Sequence, residues 1–251
     1  MLRSLYTAGT AMLTQSRRMD VITNNITNME TNGFRADTLV SQSFRDMLIS
    51  RISDPSVYDA TRAGDHNTGI HIDRVYTSFL QGTLESTDLP TDLALAGDGF
   101  FAVETPEGER YTRAGSFGVD AAGYLTTPLG QRVLGMDGPL LVGADDFTVA
   151  ADGTVDVGGI PVGQLRTVTF PDNGLLRKEG DNLFFNLDPA ANPPADTAVE
   201  VRQGYLEGSN VDSAREMVDM LNVYRSYEIN QRILRIIDDS LGLAVNDIAK
   251  V

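Results

Sequence analysis

The chain contains no cysteine, no tryptophan and two histidines in 251 residues. Without cysteine there is no disulfide framework, no thiolate nucleophile and no thiolate-bound zinc, and the chain is indifferent to the redox state around it. His66 and His71 lie five apart, which does not set two imidazoles one helical turn apart as a metal pair requires. Basic residues are scarce too: 20 Lys and Arg against 35 Asp and Glu leave a formal charge of −15. That balance argues against nucleic acid or an anionic membrane surface as partner, because both would repel the chain. No run approaches the roughly 18 apolar residues of a membrane span, so no membrane insertion is expected. The opening MLRSLYTAGTAMLTQSRRMD lacks the unbroken apolar stretch of about 7–15 residues that marks a cleaved secretory signal. Two locations stay open: the cytoplasm, or export without a cleaved signal.

What the chain does have is a periodicity that changes twice. From Leu2 to Met29 the apolar residues repeat in sevens. Leu5, Met12, Met19 and Ile26 form one series; Ala8, Ile22 and Met29 lie three beyond its members, and Gln15 is the polar break. This a/d seam predicts a helix of about 28 residues, roughly 42 Å long. Asn32-Gly33 supplies its stop, since both residues tolerate a positive φ.

The far end mirrors this pattern. Ser209-Asn210 reads as a helix start, with Asp212 and Glu216 placing negative charge where the helix dipole favours it. Met217, Met220, Tyr224, Tyr227, Leu234, Leu241, Val245 and Ile248 follow at a/d spacing, interrupted by Gln231 and Asp238. A second stripe of Val218, Leu221, Ile229, Ile233, Ile236 and Ile237 gives the helix another apolar face. A helix with two apolar faces has two neighbours. The N-terminal helix is one candidate, and nothing else in the chain supplies the other. Covering that face would remove several hundred Å² of apolar surface, worth on the order of ten kcal/mol before ordering costs. Repeated association of identical copies would cover it, and head-to-tail contacts that do not close give helical filaments. The competing reading is an ordinary intramolecular helical bundle.

Between the two helical ends the texture is that of strands and tight turns. Asp98-Gly99, Glu107-Gly108, Asp137-Gly138, Asp152-Gly153 and Asn173-Gly174 punctuate short apolar runs, of which Phe100–Glu104, Gly163–Phe170 and Asn182–Leu187 read as strands. FGVDAAGYL, beginning at Phe117, is echoed thirty residues later by FTVAADGTV, beginning at Phe147. Each reads as strand, turn and return strand. Arg35 to Arg51 has a partly helical texture, and Ser53 through Gly69 is polar and turn-rich. The expected fold is therefore α+β, with discontinuous N- and C-terminal helices forming a coiled-coil-like pair and a mainly antiparallel β domain inserted between them. The expected division is 1–33 with 209–251 as the helical part, 34–69 as a connecting arm and 70–208 as the β-rich part.

Three segments carry a family resemblance. Asn24-Asn25-Ile26-Thr27-Asn28 through Asn32-Gly33-Phe34-Arg35 resembles the N-terminal signature of bacterial flagellar rod and hook proteins. The middle stretch is similar to the same family at Gln81-Gly82-Thr83-Leu84, Asp92-Leu93-Ala94-Leu95-Ala96-Gly97-Asp98-Gly99-Phe100-Phe101, Tyr111-Thr112-Arg113-Ala114-Gly115-Ser116-Phe117 and Gly130 to Gly135. Gly204-Tyr205-Leu206-Glu207-Gly208-Ser209-Asn210-Val211, followed by Glu216 to Met220 and Arg225 to Asn230, resembles the C-terminal signature. The resemblance implies a non-enzymatic axial subunit of the flagellar basal body whose terminal helices form the inner tube of a helical assembly. It further implies export through the flagellar type III apparatus. Other copies of the chain and neighbouring rod and hook proteins would be the partners, with no cofactor. Length favours a rod subunit over a hook or hook-junction protein, which would add an outer domain. Thr91 stands where the family usually has Leu.

The expected contact residues are Leu5, Met12, Met19, Ile22, Asn24, Asn25, Ile26 and Asn28 in the first helix. In the second they are Met217, Met220, Tyr224, Tyr227, Gln231, Leu234, Leu241 and Val245. Asn24, Asn25 and Asn28 are poor helix formers; they are either plain surface amides or hydrogen-bond neighbouring subunits. Tyr224 and Tyr227 need a polar partner if buried, within the chain or across subunits. Gln231 and Asp238 either set the register or face the tube lumen. A different class of function, a secreted carbohydrate-active module on a helical stalk, would need converging carboxylates. Asp92, Asp98, Glu104, Glu107 and Glu109 read better as a solvated face. Asp145, Asp146 and Asp152 lack calcium-loop spacing, and Ser116 lacks the first glycine of a nucleophile elbow.

Overall fold

The structure, a computed structural model, describes residues 2–44, 47–51, 61–66, 69–143, 146–197 and 199–248. Two compact units emerge: Met1–Ile26 with Asp37–Tyr76 and Ser213–Val251, and Thr27–Ala36 with Thr77–Asp212. All told, two long helices flank a central, mainly antiparallel β region, an α+β chain.

The first unit contains helix α1, Leu2–Thr27, and helix α2, Ser213–Ile248. At about 1.5 Å per residue they are about 39 and 54 Å long. Along α1 the heptad face is the less exposed one: Ala8 and Ile22 are buried, and Met12, Gln15, Met19 and Ile26 are half-buried. Helix α2 begins later than Ser209-Asn210 suggests, because the Asn210 side chain is engaged elsewhere; Glu216 sits in its first turn. Within the stretch from Arg35 to Arg51, Asp37–Ser43 and Met47–Arg51 are strands where the texture suggested partial helix. Asp37–Ser43 pairs with Ile70–Thr77, and Met47–Arg51 runs antiparallel to Thr61–His66. The cause is visible in the returning partner: Ile70, Ile72, Val75 and Thr77 are β-branched and suit a pleated ribbon better than a helix. Residues 52–60 of the polar arm lie outside the described residues. Gly69 holds a positive φ of 133°, and a Cβ there would stand 2.4 Å from the Thr10 hydroxyl, so this end of the ribbon lies directly on α1.

In the second unit the largest sheet runs, in spatial order, Leu176–Gly180, Leu183–Asn186, Gly108–Thr112, Phe100–Thr105, Arg132–Gly135, Leu125–Thr126 and Gly118–Val119. Its register is antiparallel throughout that order. Strand Phe100–Thr105 is central and covered on both faces. Phe101 and Val103 enter one cluster with Leu93, Leu125, Val133 and Phe147, while Phe100 and Ala102 enter a second with Tyr111, Val168, Leu176 and Phe184. The predicted strand Gly163–Phe170 is two strands, Ile160–Gln164 and Thr167–Thr169, split at buried Leu165 and at Arg166, which ion-pairs with Glu109 and Asp196. Asn173-Gly174 forms a 3-10 turn, Asn173–Leu175, with the Asp172 carboxylate accepting from the Gly174 N–H at 2.7 Å.

The thirty-residue echo is real in three dimensions. Gly118–Val119 pairs with Leu125–Thr126, and Thr148–Val149 pairs with Thr154–Val157. Gly123 and Gly153 take the left-handed turn position with φ of 88° and 84°. Phe117 and Phe147, then Leu125 and Val155, are buried in the same core.

Candidate assembly interface

In α2 the seam is the feature that matters. Its less exposed positions include Met220, Val223, Tyr227, Asn230, Gln231, Leu234, Ile237, Leu241 and Ala244. Met220, Tyr227, Gln231, Leu234 and Leu241 belong to the predicted series; elsewhere the alternate positions are taken one residue earlier than Tyr224, Asp238 and Val245, at Val223, Ile237 and Ala244. Val223 alone is buried among the described side chains of α2. Met217, Tyr224 and Val245 are exposed, as are Val218, Leu221, Ile229, Ile233, Ile236 and Leu243, with Ile236 at 66%. Gln231 is half-buried and Asp238 exposed. The side chain of Ile248 lies outside the described residues. This helix carries an apolar surface far beyond the isolated exposed leucines normal on a monomer.

On α1, Leu5 is exposed at 38% and Ile22 is buried. Asn25 is fully enclosed. Its amide NH₂ donates to the Asp37 carbonyl at 2.8 Å and to Glu216 Oε1 at 3.1 Å, and its oxygen accepts from the Asp37 N–H at 2.9 Å. One amide thus joins α1, the strand ribbon and the first turn of α2 within a single chain, a role neither earlier reading of Asn25 contained. Asn24 is exposed. Asn28, half-buried, accepts from the Thr31 hydroxyl at 3.3 Å.

The second unit holds a cluster that periodicity could not reveal. Arg35, Arg113 and Glu207 are 1%, 3% and 1% exposed. Glu207 Oε1 lies 2.6 Å from Arg35 Nη1, and Oε2 lies 3.1 Å from Arg113 Nη1. The Gly82 N–H donates to Glu207 Oε1 at 2.9 Å, Arg35 to the Leu80 carbonyl at 2.8 Å, and Arg113 to the Gly97 carbonyl at 2.6 Å. Burial pushes the Arg113 guanidinium below its ordinary pKa, against the pull of Glu207. Glycine is required around it: a Cβ on Gly33 (φ 70°) would stand 2.4 Å from the Ala114 backbone nitrogen, and one on Gly82 would stand 2.1 Å from the Gly208 carbonyl. The available sequence signal was a charge set inside apolar, Gly-rich motifs: Gly33-Phe34-Arg35, Arg113-Ala114-Gly115 and Leu206-Glu207-Gly208.

The carboxylates considered for chemistry are dispersed. Asp92 accepts from the Thr87 hydroxyl at 2.6 Å, Glu107 pairs with Arg110 at 3.2 Å, and Glu109 with Arg166 at 2.8 Å; Asp98 and Glu104 are exposed. Asp152 caps its own turn, Asp146 is exposed, and Asp145 lies outside the described residues. Ser116 lines a cleft of about 360 Å³ with Thr31, Gln131 and Asn182, and no histidine lines it. The His71 ring lies against Phe44 with centroids 4.9 Å apart, and the side chain of His66 lies outside the described residues. Among the described residues no three His, Asp or Glu side chains gather as a metal ion would need, and no helix is long and apolar enough to cross a membrane.

Comparison with known proteins matches three family profiles. They are "Flagella basal body rod protein" over residues 5–35, "Flagellar hook protein FlgE/F/G D1 domain" over 94–157, and "Flagellar basal body rod FlgEFG protein C-terminal" over 202–247. Arg35, Arg113 and Glu207 fall one in each. The flagellar hook-basal body complex protein FlhO of Bacillus subtilis is 35% identical over the whole of both chains. The flagellar basal-body rod protein FlgG of the same organism is 34% identical over 98% of this chain and 99% of its own. The rod protein FlgF of Caulobacter vibrioides is 34% identical over 90% and 89%. Identity at this level across full lengths settles the kinship: the chain belongs to the family of flagellar basal-body rod proteins.

Proposed function

We propose that the chain is a structural subunit of the flagellar basal-body rod, which polymerises helically by packing its terminal helices against those of neighbouring copies. The observation that carries this reading is the uncovered apolar surface of α2, where, among the described side chains, one buried valine is accompanied by nine exposed large apolar side chains. Burying such a surface is the main favourable term in association, and an open head-to-tail contact extends it into a filament. Residues 1–33 with 209–251 then form a coiled-coil-like inner wall, 34–69 an arm, and 70–208 the outer β-rich part. Leu5, Met217, Tyr224 and Val245 touch the neighbour directly. Met12, Met19, Ile26, Met220, Tyr227, Gln231, Leu234 and Leu241 border the contact, with Asn24 and Asn28 at its end, while Ile22 and Asn25 shape it from within. The rod passes motor torque to the hook through these contacts, neighbouring rod and hook proteins continue the shaft, and the flagellar type III apparatus delivers each copy. The family is a structural one, and our reading assigns the chain no reaction and no cofactor.

Electron microscopy of the purified chain at rising concentration tests this. Open helical polymers are expected, and Leu221→Asp with Ile233→Asp abolishes them. Monomers throughout, or closed dimers, would contradict it.

A further inference from the structure

The buried cluster in the second unit is an expensive arrangement. Two guanidinium groups share one carboxylate almost out of reach of water, and the Nε atoms of both Arg35 and Arg113 are enclosed without a hydrogen-bond partner. Replacing a buried ion pair or triad by apolar side chains is often neutral or stabilising, so stability alone does not explain such a cluster. Its placement does. The bonds converge on the three segments by which the chain enters and leaves this unit: Gly33 to Ala36, Ser78 to Gly82 and Glu207 to Asn210. The Gly33 N–H donates to the Glu207 carbonyl at 2.7 Å and the Asn210 N–H to the Phe34 carbonyl at 3.4 Å. The Asn210 side chain accepts from the Ala36 N–H at 2.7 Å and donates to the carbonyls of Ser78 and Leu80 at 3.0 and 2.8 Å. Lys178 closes the same segment from another side, donating to the Arg35 carbonyl and lying 4.1 Å from the centre of the Phe34 ring.

We propose that Arg35, Arg113, Glu207 and Asn210 form a positioning joint. It fixes the two chain segments leading into α1 and α2 in one register, and assembly depends on that register separately from the stability of the β-rich unit. Directional bonds suit this task because apolar packing of equal strength tolerates sliding and a carboxylate with one oxygen charge-paired to each of two guanidinium groups does not. The inference rests on the assembly reading above and adds to it which residues set the geometry of the assembling ends.

The test uses the full chain. The triple substitution Arg35→Met, Glu207→Met and Arg113→Met removes the charges at similar volume. Its urea unfolding midpoint is expected to stay at or above wild type, while the concentration needed for polymers rises about tenfold or more. Faster hydrogen exchange at the Gly33 and Gly82 amides, with Phe101 unchanged, is the expected local signature. Asn210→Ala covers the case in which the triple variant does not fold; it leaves the charges intact and should raise the same threshold about fivefold. Wild-type-like assembly by Asn210→Ala and by a folded triple variant overturns the joint while the assembly reading stands. A wild-type chain that never polymerises overturns the assembly reading, and the joint with it.

Discussion

Strand Phe100–Thr105 and helix α2 are both rich in large apolar side chains, and the structure treats them in opposite ways. The strand is enclosed on both faces by two clusters of its own unit. The helix leaves Leu221, Ile229, Ile233, Ile236 and Leu243 in water. A central strand gains neighbours at both edges and layers on both faces from one chain, whereas a helix with two apolar stripes has one stripe to spare once a single chain has covered the other. Hydropathy residue by residue does not distinguish these cases. What distinguishes them is whether the chain contains enough partners.

The contrast can be broken most forcefully at its enclosed side. Phe101→Ala is expected to cost about 3–5 kcal/mol in urea unfolding, while Ile236→Ala changes monomer stability by less than about 0.5 kcal/mol. Equal costs would mean that Ile236 is covered within one chain. Next in size, Gly33→Ala forces a Cβ toward the Ala114 backbone at a left-handed position, and a loss of about 2 kcal/mol or more is expected from strain and clash. Asn25→Ala removes three hydrogen bonds from an enclosed site and should cost about 1–3 kcal/mol; hydrogen exchange at the Asp37 amide should accelerate while that at Phe101 does not.

The smallest effect is at the surface. The Arg110 guanidinium, 3.1 Å from Glu179 Oε1 at its second contact, holds the Glu179 carboxyl below the ordinary value of 4.5. A depressed folded pKa means the stabilisation is present above that ordinary value and fades as pH falls through the folded one. Glu179→Gln should therefore flatten the acid side of the stability profile slightly, more so at low salt, and leave neutral-pH exchange in the core unchanged.

Much of this arrangement was legible before any coordinates. The α1 heptad predicted the face that is now the less exposed one, and the Phe117 and Phe147 echo predicted two matched hairpins whose turns both rest on a left-handed glycine. Part of the α2 seam was displaced by one residue, to Val223, Ile237 and Ala244, because positions three and four beyond Met220, Leu234 and Leu241 both satisfy the seam spacing; periodicity finds apolar faces but not which of them the chain covers for itself. The ribbon at Asp37–Ser43 was misread as partly helical because its strand character comes from pairing with Ile70–Thr77. The Arg35–Glu207–Arg113 cluster could not be read from periodicity because a charged side chain carries no periodic mark, and its three members, spread across more than 170 residues, meet only in the folded unit.

The central claim is that the spare face of α2 belongs to sister copies. The absence of native cysteine allows it to be tested with one thiol at a time: Ile236→Cys on α2 and Glu104→Cys on an exposed β position of the full chain, each labelled with a maleimide as concentration rises. The account predicts rapid labelling of both in dilute solution and protection at position 236 alone once polymers form. Labelling at 236 that stays equally fast in monomer and polymer would contradict it.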